Sequence, residues 1–215
     1  MSWIITGEQK YPAVIGEPFG GGYFAGYISH TADGNPTHAL IVAPRATGAT
    51  GFGYTLPDLL QMKTSNTTTP NIDSEYDGAA NTAAMVEAGI NDHPAAKFCV
   101  NLSIGGFTDW YLPAYYELDI AYFNLKPGTQ VNSTSSGIND YSVPKRTSNN
   151  TANYPAQTPI TAFNTSAEEF VSVTHWSSTE DASNTGWLTN FSNGSNVSII
   201  KTGTQRVRAF RRIAL

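Results

Sequence analysis

Charged residues, and basic residues above all, are scarce in this sequence. There are 12 lysine and arginine residues against 17 aspartate and glutamate residues, charged side chains make up 13% of the chain, and the formal net charge is −5. Binding to nucleic acid requires basic side chains that displace counterions from phosphates, so this balance argues against a nucleic-acid partner. The one cluster of arginines alternates along the last segment, with Arg206, Arg208 and Arg212 on one face and Arg211 on the other. It predicts structural anchors and no basic stripe.

Cysteine is nearly absent, because Cys99 is the only one in the chain. An internal disulfide is therefore excluded. The apolar neighbours Phe98, Val100 and Leu102 predict that Cys99 is a small buried hydrophobic residue and not a reactive thiol.

Metal-binding patterns are absent as well. His30, His38, His93 and His175 do not have the spacing of zinc ligands. Residues 73–78 resemble the start of a calcium loop, but Ala84 occupies the twelfth position, where a bidentate glutamate is required. We expect no metal and no cofactor, although the sequence leaves a weak loop calcium site open.

Long apolar runs and regular repeats are missing too. The first eight residues have no basic segment and only a short apolar run, so we expect neither a signal peptide nor a membrane span, and a protein made in a cytoplasm. Heptads, collagen triplets and other shaft repeats do not occur. The sequence therefore carries no signal of a fibrous shaft.

The first third of the chain is patterned for β-structure. Apolar runs at 2–6, 23–29 and 39–44 predict strands, and the Asp-Gly-Asn-Pro segment at 33–36 predicts a hairpin turn. Residues 61–76 lack periodicity and predict an exposed loop. We expect a β-rich N-terminal lobe at 1–76 that carries an attachment segment, followed by a second domain at 77–215, with one continuous domain as the alternative.

The second domain is predicted to combine helices with antiparallel strands. Helices are expected at 78–88, at 93–102 with Asp92 as the N-cap, and at 113–125, where a buried stripe comprises Leu118, Ala121, Tyr122 and Leu125. Residues 129–160 predict an irregular insertion pinned by Val143, Tyr154 and Pro155. Four strands follow at 170–176, 186–191, 196–201 and 205–209, with a hairpin turn at Asn193 and Gly194. The fold class is α+β.

A dispersed signature occupies the second half of the sequence. It comprises Gly-Phe-Thr-Asp-Trp-Tyr-Leu-Pro at 106–113, Glu117 and Leu118, Trp-Ser-Ser-Thr-Glu at 176–180, Trp187, Phe191, Gly194, and Val-Arg-Ala-Phe-Arg-Arg at 207–212. In this order and spacing, the segments resemble the family of the Legionella collagen-like protein C-terminal domain over roughly residues 93–215. The resemblance implies a C-type-lectin-like fold with antiparallel sheets and two to three helices, used as a binding scaffold that does not require catalysis.

The resemblance also implies which residues define the fold. These are Asp109, Trp110, Leu112, Pro113, Glu117, Trp176, Ser177, Ser178, Glu180, Arg208 and Arg211. The tryptophans would be packed, and Asp109 and Glu180 would pair with Arg208 or with loop N–H groups. The alternative is that the tryptophans and hydroxyl groups of these segments bind a sugar ring.

A second resemblance covers much of the remaining chain. The segments Gly-Gly-Gly-Tyr-Phe-Ala-Gly at 20–26, Leu-Ile-Val-Ala-Pro at 40–44, Asp-Gly-Ala-Ala-Asn-Thr at 77–82, His-Pro-Ala-Ala at 93–96 and Tyr-Phe-Asn-Leu-Lys-Pro at 122–127 look like the versions of this family carried by marine phages, cyanophages especially. This resemblance implies a virion protein. Its expected partners are other virion proteins and a host surface polysaccharide or receptor, and virion symmetry favours a homo-oligomer such as a trimer.

Two noncatalytic functions are open at this point. The first is host adhesion by a tail-fibre tip or receptor-binding subunit that uses the late hairpin and the loops at 61–76 and 129–160. The ligand surface of the hairpin would comprise Trp187, Thr189, Asn190, Ser192, Asn193 and Asn196. The second is capsid or tail decoration, with residues 1–11 docking on a virion partner by strand addition. An enzyme is not expected, because nothing in the sequence pairs the acidic residues Asp73, Glu75, Asp77, Glu168 and Glu169 across a cleft.

Overall fold

The computed structural model describes residues 11–50, 59–166 and 168–215. The strand predicted at 2–6 and the docking segment at 1–11, apart from Tyr11, lie outside the described residues. The chain is a mixed α+β protein with antiparallel sheets, as predicted. Among the described residues, no helix is long and apolar enough to cross a membrane.

The strands and helices are short and alternate with long connections. The strands are β1 Pro18–Phe19, β2 Gly22–Ile28, β3 His38–Val42, β4 Leu60–Gln61, β5 Ser142–Val143, β6 Thr174–Ala182, β7 Thr185–Asn190, β8 Asn196–Ile200, β9 Thr204–Gln205 and β10 Phe210–Ala214. The helices are α1 Arg45–Gly48, α2 Gly78–Glu87, α3 Pro94–Val100 and α4 Tyr115–Leu125, with a 3-10 turn at Ile90–Asp92 and a π-helical turn at Ala162–Ser166.

The largest sheet joins the two ends of the described chain. Its order is β1-β2-β3-β10, and β5 adds to β2. The strands β2 and β3 form the predicted antiparallel hairpin. The last strand, β10, pairs with β3 from Phe210 opposite Val42 to Ala214 opposite His38. The strand pairing therefore crosses the predicted boundary between residues 76 and 77.

A second sheet contains β6, β7 and β8 in that order. The predicted turn at Asn193 and Gly194 connects β7 to β8, and Gly194 has a φ of 70°, which glycine adopts without strain. The fourth predicted strand, at 205–209, is wrong, because the chain leaves this sheet. Its β9 pairs with β4, and β10 joins the first sheet. Exchange between sheets depends on long-range packing that local alternation does not encode.

The three predicted helices are present with shifted ends. The stripe of Leu118, Ala121, Tyr122 and Leu125 on α4 is buried, as its spacing predicts. The predicted N-cap at Asp92 is wrong. His93 holds that position without a side-chain hydrogen bond, and Pro94 begins the helix.

Two predicted loops are more firmly anchored than their composition suggests. In the 61–76 segment, Met62 and Ile72 are buried, so this segment is not uniformly exposed. In the 129–160 segment, the prediction that Tyr154 anchors the chain is wrong, because the Tyr154 side chain is 59% exposed. Buried asparagine side chains hold this segment through hydrogen bonds: Asn132 with Tyr122 and Lys126, and Asn139 with Asp119 and the carbonyl of Tyr116.

The core is largely apolar but contains two buried histidines, His93 and His175. His175 lies on β6 and meets the stacked rings of Phe170 and Phe191 edge to face, with centroid distances of 5.5 and 5.0 Å. Its Nδ1 is 3.1 Å from the carbonyl oxygen of Val173, and its Nε2 is buried without a hydrogen-bond partner among the described residues. Burial lowers the pKa of His175 to about 3, so the ring is neutral in the folded protein.

Because the pKa of His175 is lowered, we predict that the folded protein loses stability in acid. The unfolded chain binds a proton at His175 below a pH of about 6.5, whereas the folded chain binds it only near pH 3, so stability falls as the pH drops between these values. The substitution His175→Phe fills the same space, and the carbonyl of Val173 still accepts from the N–H of Phe191 at 3.0 Å. We expect the unfolding free energy of the variant to fall less steeply with decreasing pH than that of the unmodified protein. The difference between the two slopes should be about 1.4 kcal/mol per pH unit between pH 6 and 4.

Urea denaturation of both proteins at several pH values measures this difference. The remaining histidines are common to both proteins and cancel in the comparison. Parallel curves for the two proteins would show that His175 does not contribute to the acid sensitivity.

Candidate functional site

A continuous line of aromatic rings, all partly exposed, crosses the surface of the protein. In order along the line, the rings belong to His38, His30, Tyr76, Tyr141, Tyr116, Tyr115 and Trp187. The centroids of neighbouring rings are separated by 4.4, 5.2, 4.3, 5.4, 4.8 and 5.3 Å in the same order. We refer to these seven residues as the aromatic band.

The rings of the aromatic band come from distant parts of the sequence. His30 lies two residues after β2, His38 begins β3, and Trp187 lies within β7. Tyr115 and Tyr116 are the first two residues of α4. Tyr76 and Tyr141 precede α2 and β5 and stack on each other with an interplanar angle of 13°. The band therefore exists only when the two larger sheets, α4 and the segment before α2 are assembled.

A buried carboxyl group holds the start of α4 in place. Glu117 is fully buried, and its side chain accepts hydrogen bonds from the hydroxyl of Tyr111 at 2.6 Å and from the N–H of Ala114 at 2.7 Å. Burial raises the pKa of Glu117 to about 7. A Cβ atom at Gly78 would lie only 2.4 Å from Oε2 of Glu117, so this approach of α2 to α4 requires glycine.

The histidine end of the band is fixed by a separate network. Asp77 caps α2 by accepting from the N–H of Ala80 at 2.8 Å, and it also accepts from Arg212 at 2.6 Å. The Nδ1 atom of His30 lies 3.7 Å from the same carboxylate. Burial and the charges of Arg212 and His38 lower the pKa of His30 to about 4. His30 is therefore a neutral ring at neutral pH.

Hydrogen-bonding groups, namely exposed carboxylates and the tyrosine hydroxyls, lie beside the rings of the band. Glu75 and Asp140 are exposed next to the band. Burial and the nearby carboxylates, Glu75 first among them, raise the pKa of Tyr116 to about 12. Burial likewise raises the pKa of Tyr115 and Tyr141. The phenol groups therefore keep their protons and remain available as hydrogen-bond donors.

The predicted ligand residues on the late hairpin have mixed positions. Trp187 belongs to the aromatic band, but Thr189 is buried and its hydroxyl donates to Asn196 at 3.0 Å, so it does not offer a ligand surface. The side chains of Asn190 and Asn193 accept from backbone N–H groups two residues further on, those of Ser192 and Ser195, at 2.9 and 3.0 Å. These contacts shape the turn.

Among the residues that the resemblance marks as fold-defining, both signature tryptophans are buried. The indole N–H of Trp176 donates to the carbonyl of Leu60 at 2.8 Å, and that of Trp110 donates to the carbonyl of Phe107 at 3.1 Å. Leu112 is buried in the same cluster as these tryptophans, and Pro113 lies just ahead of α4. Neither tryptophan offers a face to a sugar.

Two small hydroxyl side chains next to Trp176 are also inside the protein. The hydroxyl of Ser177 donates to the carbonyl of Trp187 at 2.8 Å. The hydroxyl of Ser178 accepts from the side-chain amide of Asn81 at 3.1 Å. Both serines therefore link β6 to neighbouring elements.

The charged residues of the signature form different pairs from those expected. Asp109 accepts two hydrogen bonds from Arg211, at 2.8 and 2.9 Å, and not from Arg208. The buried Arg208 pairs instead with Glu168 at 3.0 Å. Glu180 pairs with the buried Lys201 and also accepts from the N–H of Thr69 at 3.0 Å. The expectation of a loop N–H partner for Glu180 is correct.

The acidic residues that were considered for glycoside hydrolysis have structural contacts. Glu168 and Glu169 bind arginines, and Asp77 caps a helix. Asp73 and Glu75 are exposed. Within residues 11–50, 59–166 and 168–215, no three His, Cys, Asp or Glu side chains converge in a way that could hold a metal ion. What the aromatic band offers chemically is stacking and hydrogen bonding.

Comparison with known proteins does not assign the chain to a family. No protein-family model matches the chain, and no curated protein matches it significantly. The interpretation of the aromatic band therefore depends on the arrangement of its side chains.

Removal of the buried carboxyl group of Glu117 should strongly lower the free energy of unfolding. Glu117→Ala leaves the buried O–H of Tyr111 and N–H of Ala114 without an acceptor, and each unpaired group costs about 1–3 kcal/mol. We expect the unfolding free energy to fall by about 3 kcal/mol in urea denaturation. Glu75→Ala, which removes an exposed carboxylate nearby, should change it by less than about 0.5 kcal/mol. Equal effects of the two substitutions would contradict this role of Glu117.

Proposed function

We propose that this protein is a noncatalytic phage virion protein that attaches the particle to an uncharged polysaccharide on the host surface through the aromatic band. The observation that supports this most strongly is the continuous line of seven partly exposed rings. The C-type-lectin-like fold and the virion context come from the family resemblance. A tail-fibre tip or receptor-binding subunit is the corresponding role.

Ring stacking provides the binding energy in this proposal. The C–H faces of sugar rings pack against aromatic faces, while hydroxyl groups at the ring edges form the hydrogen bonds. The tyrosine hydroxyls and the nearby side chain of Asn196 provide such groups beside the rings. Because the band extends over six consecutive ring contacts, it is longer than one sugar ring and suits a polymer.

The charges next to the band select against other polymers. Glu75 and Asp140 are exposed beside the tyrosines and would repel phosphate groups and acidic sugars. The overall net charge of −5 acts in the same direction. An uncharged polysaccharide avoids this repulsion.

The contacts of two acidic side chains near the band support binding without cleavage. Cleavage by the usual glycosidase mechanism needs two carboxyl groups that flank the bond. Beside the band, Asp77 is occupied by Arg212 and by the N–H of Ala80, and Glu117 is buried beneath α4. A homo-oligomer, such as a trimer on the virion, would raise the avidity of an otherwise weak contact.

The proposal predicts a loss of binding when rings are removed from the middle of the band. Tyr116→Ala and Tyr141→Ala should each weaken binding of the purified protein to host cell-surface polysaccharide by about tenfold, which corresponds to about 1.4 kcal/mol. Tyr11→Ala is the matched control, because Tyr11 is 37% exposed and has no ring in the band. Glycan-array and cell-binding measurements would quantify the effect.

Two results would contradict the proposal. Unchanged binding by both band variants would show that the rings are not the contact surface. Absence of binding by the unmodified protein to any host polysaccharide, together with its presence on the virion, would indicate decoration instead of adhesion.

A further inference from the structure

A cavity of about 300 Å³ lies between α4 and the chain around and after β5. One wall is formed by α4 through Ile120, Phe123 and Asn124, and the other by the segment from Ser142 to Tyr154. Both elements also contribute rings to the band, because Tyr115 and Tyr116 begin α4 and Tyr141 precedes Ser142. Ligand pockets in proteins begin at about this volume, which limits the occupant to a single small unit.

Two buried hydrogen-bond donors in the cavity wall have no acceptor. Nη1 of Arg146 and Nδ2 of Asn150 are both buried and lack a hydrogen-bond partner among the described residues. Asn150 is only 6% exposed. Both residues line the cavity. A buried donor without an acceptor is costly, so the pair of donors indicates a ligand that supplies acceptor oxygens.

The guanidinium group of Arg146 is held firmly by other contacts. Its Nη2 pairs with the buried carboxylate of Asp119, and its Cζ lies 4.4 Å from the centroid of the Phe123 ring. Nη1 is therefore fixed in position while its hydrogen-bonding capacity remains unused.

The charges around the cavity are already balanced. Asp119 neutralises Arg146, and Asp140 lies 3.2 Å from Lys145. An anionic ligand would gain little from cations that are already paired with carboxylates. The unpaired donors are therefore better matched by neutral acceptor oxygens than by a carboxylate or a phosphate.

The remaining surface of the cavity favours a sugar ring. Phe123 and Tyr154 meet edge to face with centroids 5.3 Å apart, and Tyr154 is 59% exposed. An exposed aromatic face next to buried polar donors is suited to a ring with C–H groups on one face and oxygens at its edge.

We propose that this cavity is a second binding site, separate from the aromatic band, and that it takes one uncharged N-acetylated hexose unit. The acetamido carbonyl and a ring hydroxyl would accept from Arg146 and Asn150. The acetamido methyl group would lie against the apolar wall at Ile120 and Phe123, and the sugar ring would lie against Tyr154.

Titration of the full chain with N-acetylglucosamine, followed by NMR or calorimetry, tests this proposal, with glucose and glucuronate as comparison probes. We expect saturable binding of N-acetylglucosamine, and binding of glucose and glucuronate that is at least tenfold weaker. Tyr154→Ala, an exposed substitution, should weaken binding of N-acetylglucosamine by about tenfold without changing the melting temperature. Asn150→Asp, which replaces the amide donor in the same shape, should weaken it at least as much.

Variants of the aromatic band separate this site from the proposed adhesion surface. Trp187→Ala should leave binding of N-acetylglucosamine unchanged, whether or not it affects polysaccharide binding. Failure of the unmodified protein to bind the sugar, full binding by Tyr154→Ala, or tighter binding of glucuronate would each overturn the proposal. None of these results would affect the case for the aromatic band.

Discussion

The carboxyl group of Glu117 is the constraint on which the candidate surface depends. It is buried where α2, α4 and the segment before α4 meet, and it accepts from Tyr111 and Ala114 while the backbone of Gly78 lies against it. Tyr111 in turn pairs with Phe210 on β10, which ties the start of α4 to the largest sheet. The orientation of Tyr115 and Tyr116, two and one residues before Glu117, follows from this junction.

A second constraint is the return of the C-terminal strand to the first sheet. The alignment of β10 with β3 places Arg208 and Arg211 beside partners that are distant in sequence, Glu168 and Asp109. Arg208 is fully buried in its pair with Glu168, whereas Asp109 is about half exposed. We expect these pairs, and the buried one above all, to specify one arrangement of the chain more than they add to its stability. They hold together the elements that carry the aromatic band.

Much of the secondary structure could be predicted from the sequence, because its signals are local. The spacing of Leu118, Ala121, Tyr122 and Leu125 located α4, and Asn193 with Gly194 located the late hairpin. The destination of the last strand could not be predicted, because sheet membership is decided by packing over the whole chain. The ion-pair partners of Arg208 and Asp109 were missed for the same reason.

The candidate surface was only partly predictable. Trp187 was identified on the late hairpin, but the other six rings of the band come from segments that are far apart in the sequence. The available signal was the presence of Tyr76 and Tyr141 in segments predicted as loops, where an aromatic residue must either pack or remain available for binding. The asparagines of the hairpin turn were misleading, because their side chains bind the backbone.

The most direct test of the central claim is NMR observation of the tyrosine and tryptophan ring resonances while host surface polysaccharide is added. The account predicts that the resonances of Tyr76, Tyr115, Tyr116, Tyr141 and Trp187 shift together and saturate, and that the polysaccharide keeps its length. Shifts confined to rings outside the band, such as Tyr23 and Tyr27, or a polysaccharide that becomes shorter, would contradict it.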